Sequence, residues 1–185
     1  FNDVLERAGK WLKDEPHLIQ LQQFRMYSLN VLGRHKEVVD TVNGILANRS
    51  HQVSQEVSVE LIYHMITALY ALENWQSCYG GWKLHAKMAA DMGVTKPQFE
   101  MNKVRAVKCL FMLGRYDEAV NLAIQIKHFH PTLYLYWAKS LDKLSRLAEA
   151  VKVLEDGLSK FPLARELTDE LTDIDSRVKP IKTTE

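Results

Sequence analysis

The sequence predicts an all-α fold of stacked antiparallel helix pairs, and three observations lead to this expectation. The segment between residues 102 and 162 contains one pattern twice, so that Ala150 and Pro162 follow Ala119 and Pro131 by 31 residues. Apolar residues recur at the helical period along most of the chain. The five prolines and eight glycines fall mostly at the ends of these periodic stretches. Such a repeat is typical of helical arrays, in which each pair buries its apolar face against its neighbours.

In the first half of the chain, helices are predicted at residues 3–13, 17–32, 35–47, 55–72 and 75–92. Pro16 separates the first two, because the residue before a proline is displaced from the α region. The second helix has an apolar stripe that includes Phe24, Leu29 and Leu32. Gly33 ends this helix, since glycine readily adopts the left-handed conformation of a C-terminal cap.

In the second half, helices are predicted at residues 97–113, 116–128, 131–144, 147–160 and 163–178. Pro131 and Pro162 stand where helices can begin, because proline is tolerated in a first turn. The last helix carries an apolar stripe that includes Leu163, surrounded by charged residues. This pattern is typical of the capping helix that ends a repeat array. Residues 179–185 are expected to form a flexible tail.

The register of the two copies resembles the tetratricopeptide repeat, whose second helix opens G-x-Y-x-x-A and is followed by a proline. The matching residues are Gly114, Tyr116, Ala119, Ala123, Ile126 and Pro131, then Ser145, Leu147, Ala150, Leu154, Gly157 and Pro162, with Trp137 and Ala138 on the first helix. The equivalent turns fall at residues 33, 73, 114 and 145, so the spacings are 40, 41 and 31 residues. A constant spacing of about 34 is the family norm.

The resemblance implies a right-handed α-α superhelix of antiparallel helix pairs that spans residues 1–178 as a single domain. The segments are a helix at 1–14, helix pairs at 17–49, 55–93, 97–130 and 131–161, and a capping helix at 163–178. The helix at 1–14 matches the second helix of a truncated repeat. We therefore expect further repeats to precede residue 1 in a longer protein.

The resemblance also implies a partner-binding surface, because tetratricopeptide arrays usually bind along a concave face lined by the first helix of each pair. The lining positions are occupied by Gln23, Tyr27, Asn30, Tyr63, Thr67, Tyr70, Val104, Lys108, Phe111, Leu135, Lys139 and Asp142. This mixed aromatic and polar surface suits an extended or helical peptide. The alternative is that Tyr63, Tyr70 and Phe111 are simply buried between helices.

One specialised function of the family is disfavoured. Domains that hold the C-terminal carboxylate of chaperones carry a clamp of lysine, asparagine and arginine residues. The corresponding positions here hold Gln23, Tyr27, His64, Met101 and Arg105. Because Arg105 alone agrees with the clamp pattern, we do not expect this chain to bind chaperone tails.

No catalytic residue, metal ligand or cofactor site is predicted. Glu60 and His64 have a spacing that metal ligands can use, but no third or fourth ligand can be assigned. Cys78 and His85 lie on one predicted helix face, as a nucleophile and its base could, yet no glycine-rich or oxyanion-binding element accompanies them. The histidines at positions 128 and 130 suit a solvated turn. We therefore do not expect an enzyme.

Composition excludes several classes of partner. The net charge is +1 and no long basic run occurs, so nucleic-acid binding is not expected. No apolar run approaches the roughly 20 residues that a membrane-spanning helix needs. Cys78 and Cys109 lack the spacing of a metal site or a disulfide framework, and we expect buried thiols in the cytoplasm.

The leading hypothesis is a non-catalytic protein–protein interaction module, a scaffold or adaptor segment of a larger protein that binds a peptide or partner subunit on its concave face. The alternative is a self-association domain of a multi-subunit assembly, in which this face or the N-terminal end packs on another copy. A third hypothesis, a hidden hydrolase or metal enzyme, lacks any supporting motif.

Overall fold

The computed structural model describes residues 2–14, 19–48, 54–93, 97–127 and 130–178. The helices are α1 (Asn2–Asp14), α2 (Ile19–Val31), α3 (His35–Asn48), α4 (Gln55–Ala71), α5 (Trp75–Asp91), α6 (Pro97–Met112), α7 (Tyr116–Ile124), α8 (Pro131–Lys143), α9 (Leu147–Lys160) and α10 (Arg165–Val178). No strand occurs within these described ranges. The all-α prediction is confirmed, and most helix ends lie within one residue of the predicted position. The predicted tail at 179–185 lies outside the described residues.

Four turns that join the two helices of a pair have the same geometry, and all four were predicted. Their central residues have positive φ angles: Gly33 (72°), Glu73 (55°), Gly114 (72°) and Ser145 (60°). In each turn the next backbone N–H donates to the carbonyl of a leucine five residues earlier, at 2.8–3.0 Å; these leucines are Leu29, Leu69, Leu110 and Leu141. This bond, with a second from the central residue to the carbonyl three residues before it, defines a Schellman cap. The repeated pattern therefore encodes a repeated turn.

Within the described residues, two predicted helix ends were wrong; the predicted start of the second helix at residue 17 lies outside them. α7 ends at Ile124 rather than at residue 128, because the N–H groups of Gln125 and Ile126 donate to carbonyls three residues back, at 3.1 Å, in the tighter 3₁₀ manner. α10 begins at Arg165, and Leu163 lies in the preceding turn with 96% of its surface exposed. Ala164, only 9% exposed, occupies the buried position that was assigned to Leu163.

The expected apolar stripe of α2 also needs correction. Phe24 and Leu32 are exposed, at 60% and 36% of their surfaces, whereas Leu29 of the expected stripe is buried, together with Met26 and Ser28. The buried side of α2 is therefore rotated away from Phe24. This rotation leaves a large aromatic side chain on the accessible side of a first helix.

The chain divides into two compact units, and the boundary between Asn102 and Lys103 falls inside α6. In unit 1 (residues 1–102), α2 packs on α3 and α4 packs on α5, which are the two predicted pairs. α2 also contacts α4, so the first helices of successive pairs are neighbours, and α3 contacts α4. α1 packs on α2, with Ala8 and Leu12 buried. The core includes Val38, Val42, Leu61, Ile62, Ile66 and Cys78.

In unit 2 (residues 103–185), α8 contacts α7 and α9, and α10 contacts both α8 and α9. Its core contains Tyr134, Leu141, Leu154, Leu167 and Ile174, each 0–2% exposed. Gly157 of α9 permits the close approach of α8, because a Cβ at this position would lie 2.8 Å from Tyr134 Cγ. α10 thus packs on both helices of the last pair, and its role as a capping helix stays a prediction. The assignment of residues 1–178 to one domain stays a prediction.

Candidate functional site

A groove runs between the first helices of the two pairs in unit 1. It has a volume of about 630 Å³ and is lined by Gln20, Gln23, Phe24 and Tyr27 of α2 and His64 of α4. The four α2 residues have spacings of three, four and seven, so they form one stripe of the helix. Phe24 and Tyr27 are 60% and 52% exposed. We call this feature the α2–α4 groove.

Asn30 holds the two walls of this groove together. Its Nδ2 donates to the backbone oxygen of His64 at 3.1 Å, which ties the last turn of α2 to the middle of α4. Its Oδ1 lies 3.1 Å from His35 Nδ1, so both ends of the amide are engaged within unit 1. Asn30 was predicted to line the binding face, and its contacts give it a structural role in setting the distance between α2 and α4.

His64 is the polar side chain that α4 contributes to the α2–α4 groove. Burial lowers the pKa of His64 from its usual value of 6.5, and this effect outweighs the opposing influence of Glu60 one turn earlier. The imidazole is therefore neutral at pH 7 and above. Its ring meets that of Tyr63 edge to face, with centroids 5.4 Å apart.

Tyr63, Thr67 and Tyr70 of α4 are half-buried, and each makes a contact within unit 1. Tyr63 lies 6.4 Å from the Phe99 ring and packs on the small cluster that contains Phe99. Thr67 Oγ1 donates to the Tyr63 carbonyl at 3.2 Å, and Tyr70 meets Trp75 edge to face at 5.7 Å. Packing between helices therefore covers part of the Tyr63 and Tyr70 rings, and the rest of each ring remains accessible.

In unit 2, the predicted residues of α6 separate into buried and accessible ones. Val104 is 1% exposed, so it belongs to the core and cannot contact a partner in this conformation. Phe111 is half-buried between the rings of Tyr116 and Tyr136, at 5.6 and 5.4 Å. The ammonium group of Lys108 lies 5.3 Å from the centre of the Tyr136 ring. Tyr136 thus joins α6 to α8, a role that the sequence did not indicate.

The predicted residues of α8 serve mainly to hold α10. Lys139 pairs with Glu170 at 3.3 Å, and Arg177 donates two hydrogen bonds to the Asp142 carboxylate, at 2.8 and 3.0 Å. Leu135 packs against the core of unit 2. Three predicted binding positions are therefore occupied by contacts within the chain itself.

The residues considered for metal or nucleophilic chemistry are engaged in packing. Within the described ranges, no group of three or more His, Cys, Asp or Glu residues could hold a metal ion. Cys78 is fully buried, and its thiol lies 3.6 Å from the Ile66 carbonyl oxygen as a donor. His85 is buried with its ring edge-on to Phe99, at a centroid distance of 4.4 Å. Of the histidines at 128 and 130, residue 128 lies outside the described residues, and His130 Nδ1 caps α8 by accepting from the Thr132 N–H at 3.2 Å.

In the part of the chain that the structure covers, no helix is both long and apolar enough to cross a membrane.

Sequence comparisons find no match: no family model matches the chain, and no curated protein does either. The fold is similar to two crystal structures of nearly identical TPR-like repeats from a Podosopora anserina protein classed as a kinesin light chain. The first has 13% identity and a TM-score of 0.60, covering 89% of this chain and 98% of that one. The second, a variant, has 14% identity and a TM-score of 0.61, covering 88% and 97%. The predicted tetratricopeptide-like fold is confirmed, and at this identity the likeness concerns the fold alone.

Proposed function

We propose that this chain is a non-catalytic protein-interaction module whose α2–α4 groove binds a peptide segment of a partner. The observation that carries the proposal is the exposure of Phe24 and Tyr27 side by side in a groove between two first helices. Aromatic residues at the centre of an interface often dominate its binding energy. A partner that covers these two rings would remove a large apolar surface from water.

The tetratricopeptide-like fold supports this role in general terms, since stacked helix pairs create extended binding surfaces. We further propose that the chain is a scaffold or adaptor segment of a larger protein. Cys78 and Cys109 are both buried thiols, which suits a reducing compartment, and we therefore propose a cytoplasmic location.

A retention experiment tests the groove. The purified chain is immobilised and exposed to cell extract, and retained proteins are quantified by mass spectrometry for the wild type, Phe24→Ser/Tyr27→Ser and Ile124→Ser. Ile124 is a matched control, because it is 60% exposed, as Phe24 is, but lies on α7 in unit 2. We expect at least one protein to be lost by the groove variant and kept by the control. Identical retention by all three would contradict the proposal.

Self-association is the alternative, because the exposed rings of Phe24 and Tyr27 could equally pack on a second copy. Sedimentation equilibrium separates the two possibilities. A concentration-dependent dimer that Phe24→Ser/Tyr27→Ser abolishes would favour self-association through the groove. A monomer at high micromolar concentration would favour a different protein as the occupant.

A further inference from the structure

We propose that the segment bound in the α2–α4 groove is an uncharged stretch of peptide with aromatic or aliphatic side chains. This inference rests on the proposed function and specifies the chemistry of its partner. It follows from the lining, in which Gln20, Gln23, Phe24 and Tyr27 carry no formal charge. The fifth member, His64, is neutral at pH 7 because burial lowers its pKa.

The charged residues of the flanking helices lie outside this lining. Arg25 is the one charged residue in the α2 range, and it lines a separate cavity of about 350 Å³ together with Glu6 and Glu37. On α4, Glu56 is exposed in the first turn, and Glu60 lies one turn before His64. The charges of both α4 residues are negative, so an acidic partner segment would gain no counter-charge from this helix.

The free energy of burial disfavours a charged peptide side chain in this groove. A charged side chain that enters the groove would lose part of its hydration without meeting an opposite charge among the five lining residues, and this loss is costly. An aromatic or aliphatic side chain loses nothing comparable and gains contact with Phe24 and Tyr27. The groove therefore favours uncharged segments over charged ones, because a charged side chain bound there would be left without a partner.

The amides of Gln20 and Gln23 provide the polar recognition that such a segment needs. Each side-chain amide has donors and an acceptor, which match the N–H and C=O groups of an extended backbone. The groove volume of about 630 Å³ is within the usual range for a binding site. It accommodates a few side chains, so the recognised segment is short.

A random peptide library tests the chemistry directly. Twelve-residue peptides displayed on phage are selected on the wild-type chain and counter-selected on Phe24→Ser, so that only binders dependent on the groove remain. We expect the enriched cores to be depleted of Asp, Glu, Lys and Arg and rich in aromatic and aliphatic residues. Phe24→Ser should weaken a selected peptide by about tenfold or more, whereas Ile124→Ser should leave its affinity unchanged.

Salt dependence provides a second readout on the same peptides. Affinity for the selected peptide should change less than about twofold between roughly 0.05 and 0.5 M NaCl, because no charge pair is screened. Enrichment of acidic or basic cores, or a steep salt dependence, would overturn the inference and leave the binding function intact. Failure to enrich any peptide that needs Phe24 would instead contradict both proposals. Circular dichroism of Phe24→Ser checks that the variant is folded.

Discussion

The buried side chain of His85 makes the free energy of unfolding of this chain depend on pH. Its side chain is 2% exposed, and within the described residues its Nε2 atom has no hydrogen-bond partner. Burial lowers the pKa of His85 below its usual 6.5, against a weaker opposing effect of Glu60. Well above pH 6.5 the imidazole is neutral in both the folded and unfolded states. As pH falls below 6.5, the unfolded state binds a proton first, and the free energy of unfolding decreases until pH reaches the folded-state pKa.

Replacing this histidine should therefore reduce the loss of stability in acid. We expect the free energy of unfolding of His85→Leu to fall less than that of the wild type between about pH 7.5 and pH 5.5, measured by urea denaturation. The difference cannot exceed about 1.4 kcal/mol per pH unit for one titrating group. Part of the pH dependence should remain, because burial also lowers the pKa of His64. Equal losses in both proteins would show that His85 is not the responsible group.

At the scale of the element, the four Schellman turns define the helix pairs, and the tetratricopeptide register indicated which residue takes the left-handed position in each. Glycine fills this position at 33 and 114, whereas Glu73 and Ser145 adopt positive φ despite their side chains. A left-handed conformation costs roughly 1–2 kcal/mol for a residue other than glycine. The fold therefore tolerates strain at two of its four turns.

Two opposite substitutions test this strain. Gly114→Ala should lower the free energy of unfolding by about 1–2 kcal/mol, because φ at this position is 72°. Ser145→Gly should raise it by up to about 1 kcal/mol, since the residue there already has φ of 60°. Thermal and urea unfolding of both variants measure the effects. Opposite signs are expected, and a stabilising Gly114→Ala would refute the assignment of the turn.

The contact between α8 and α9 depends on the absence of a side chain at Gly157. An added Cβ would lie 2.8 and 2.9 Å from Tyr134 Cγ and Cβ, and 3.0 Å from Leu167 Cδ1. Gly157→Ala should therefore cost about 1–3 kcal/mol through overpacking. Gly80→Ala is the control, because nothing lies within 4 Å of its Cβ position and it sits on the exposed side of α5. In that control the free energy of unfolding should rise by about 0.5–1 kcal/mol, because alanine has the higher helix propensity. Urea denaturation measures the free energy of unfolding of both variants. Similar changes in the two would contradict the close approach of α8 and α9 at Gly157.

The end of α7 illustrates what periodicity alone could not predict. Ile126 continues the apolar spacing of the helix and is buried, at 4% exposed, yet it lies beyond the last helical residue. Burial at the expected spacing does not require helical hydrogen bonds.

The error at Phe24 has a related cause. Apolar spacing indicates which residues share one side of a helix, but not whether a neighbouring helix covers that side.

At the scale of the whole molecule, the tetratricopeptide register indicated which residues lie on the first helices, but not their contacts. Lys139 and Asp142 bind Glu170 and Arg177, which are more than 30 residues later in the chain. Such contacts depend on how helices pack and leave no local signal in the sequence. Gln23 and Tyr27 line an accessible groove, and their role in binding stays a prediction. Phe24, which completes the aromatic pair, was assigned to the core.

The most direct test of partner binding in the α2–α4 groove is photo-crosslinking from position 24. The benzophenone amino acid p-benzoylphenylalanine replaces Phe24 in one protein and Ile124 in the control, and both are irradiated in cell extract. Both positions are equally exposed, so random collisions should label them to the same extent. We predict a discrete covalent adduct from position 24 that is absent from position 124. No adduct from position 24, or equal adducts from both, would contradict the account.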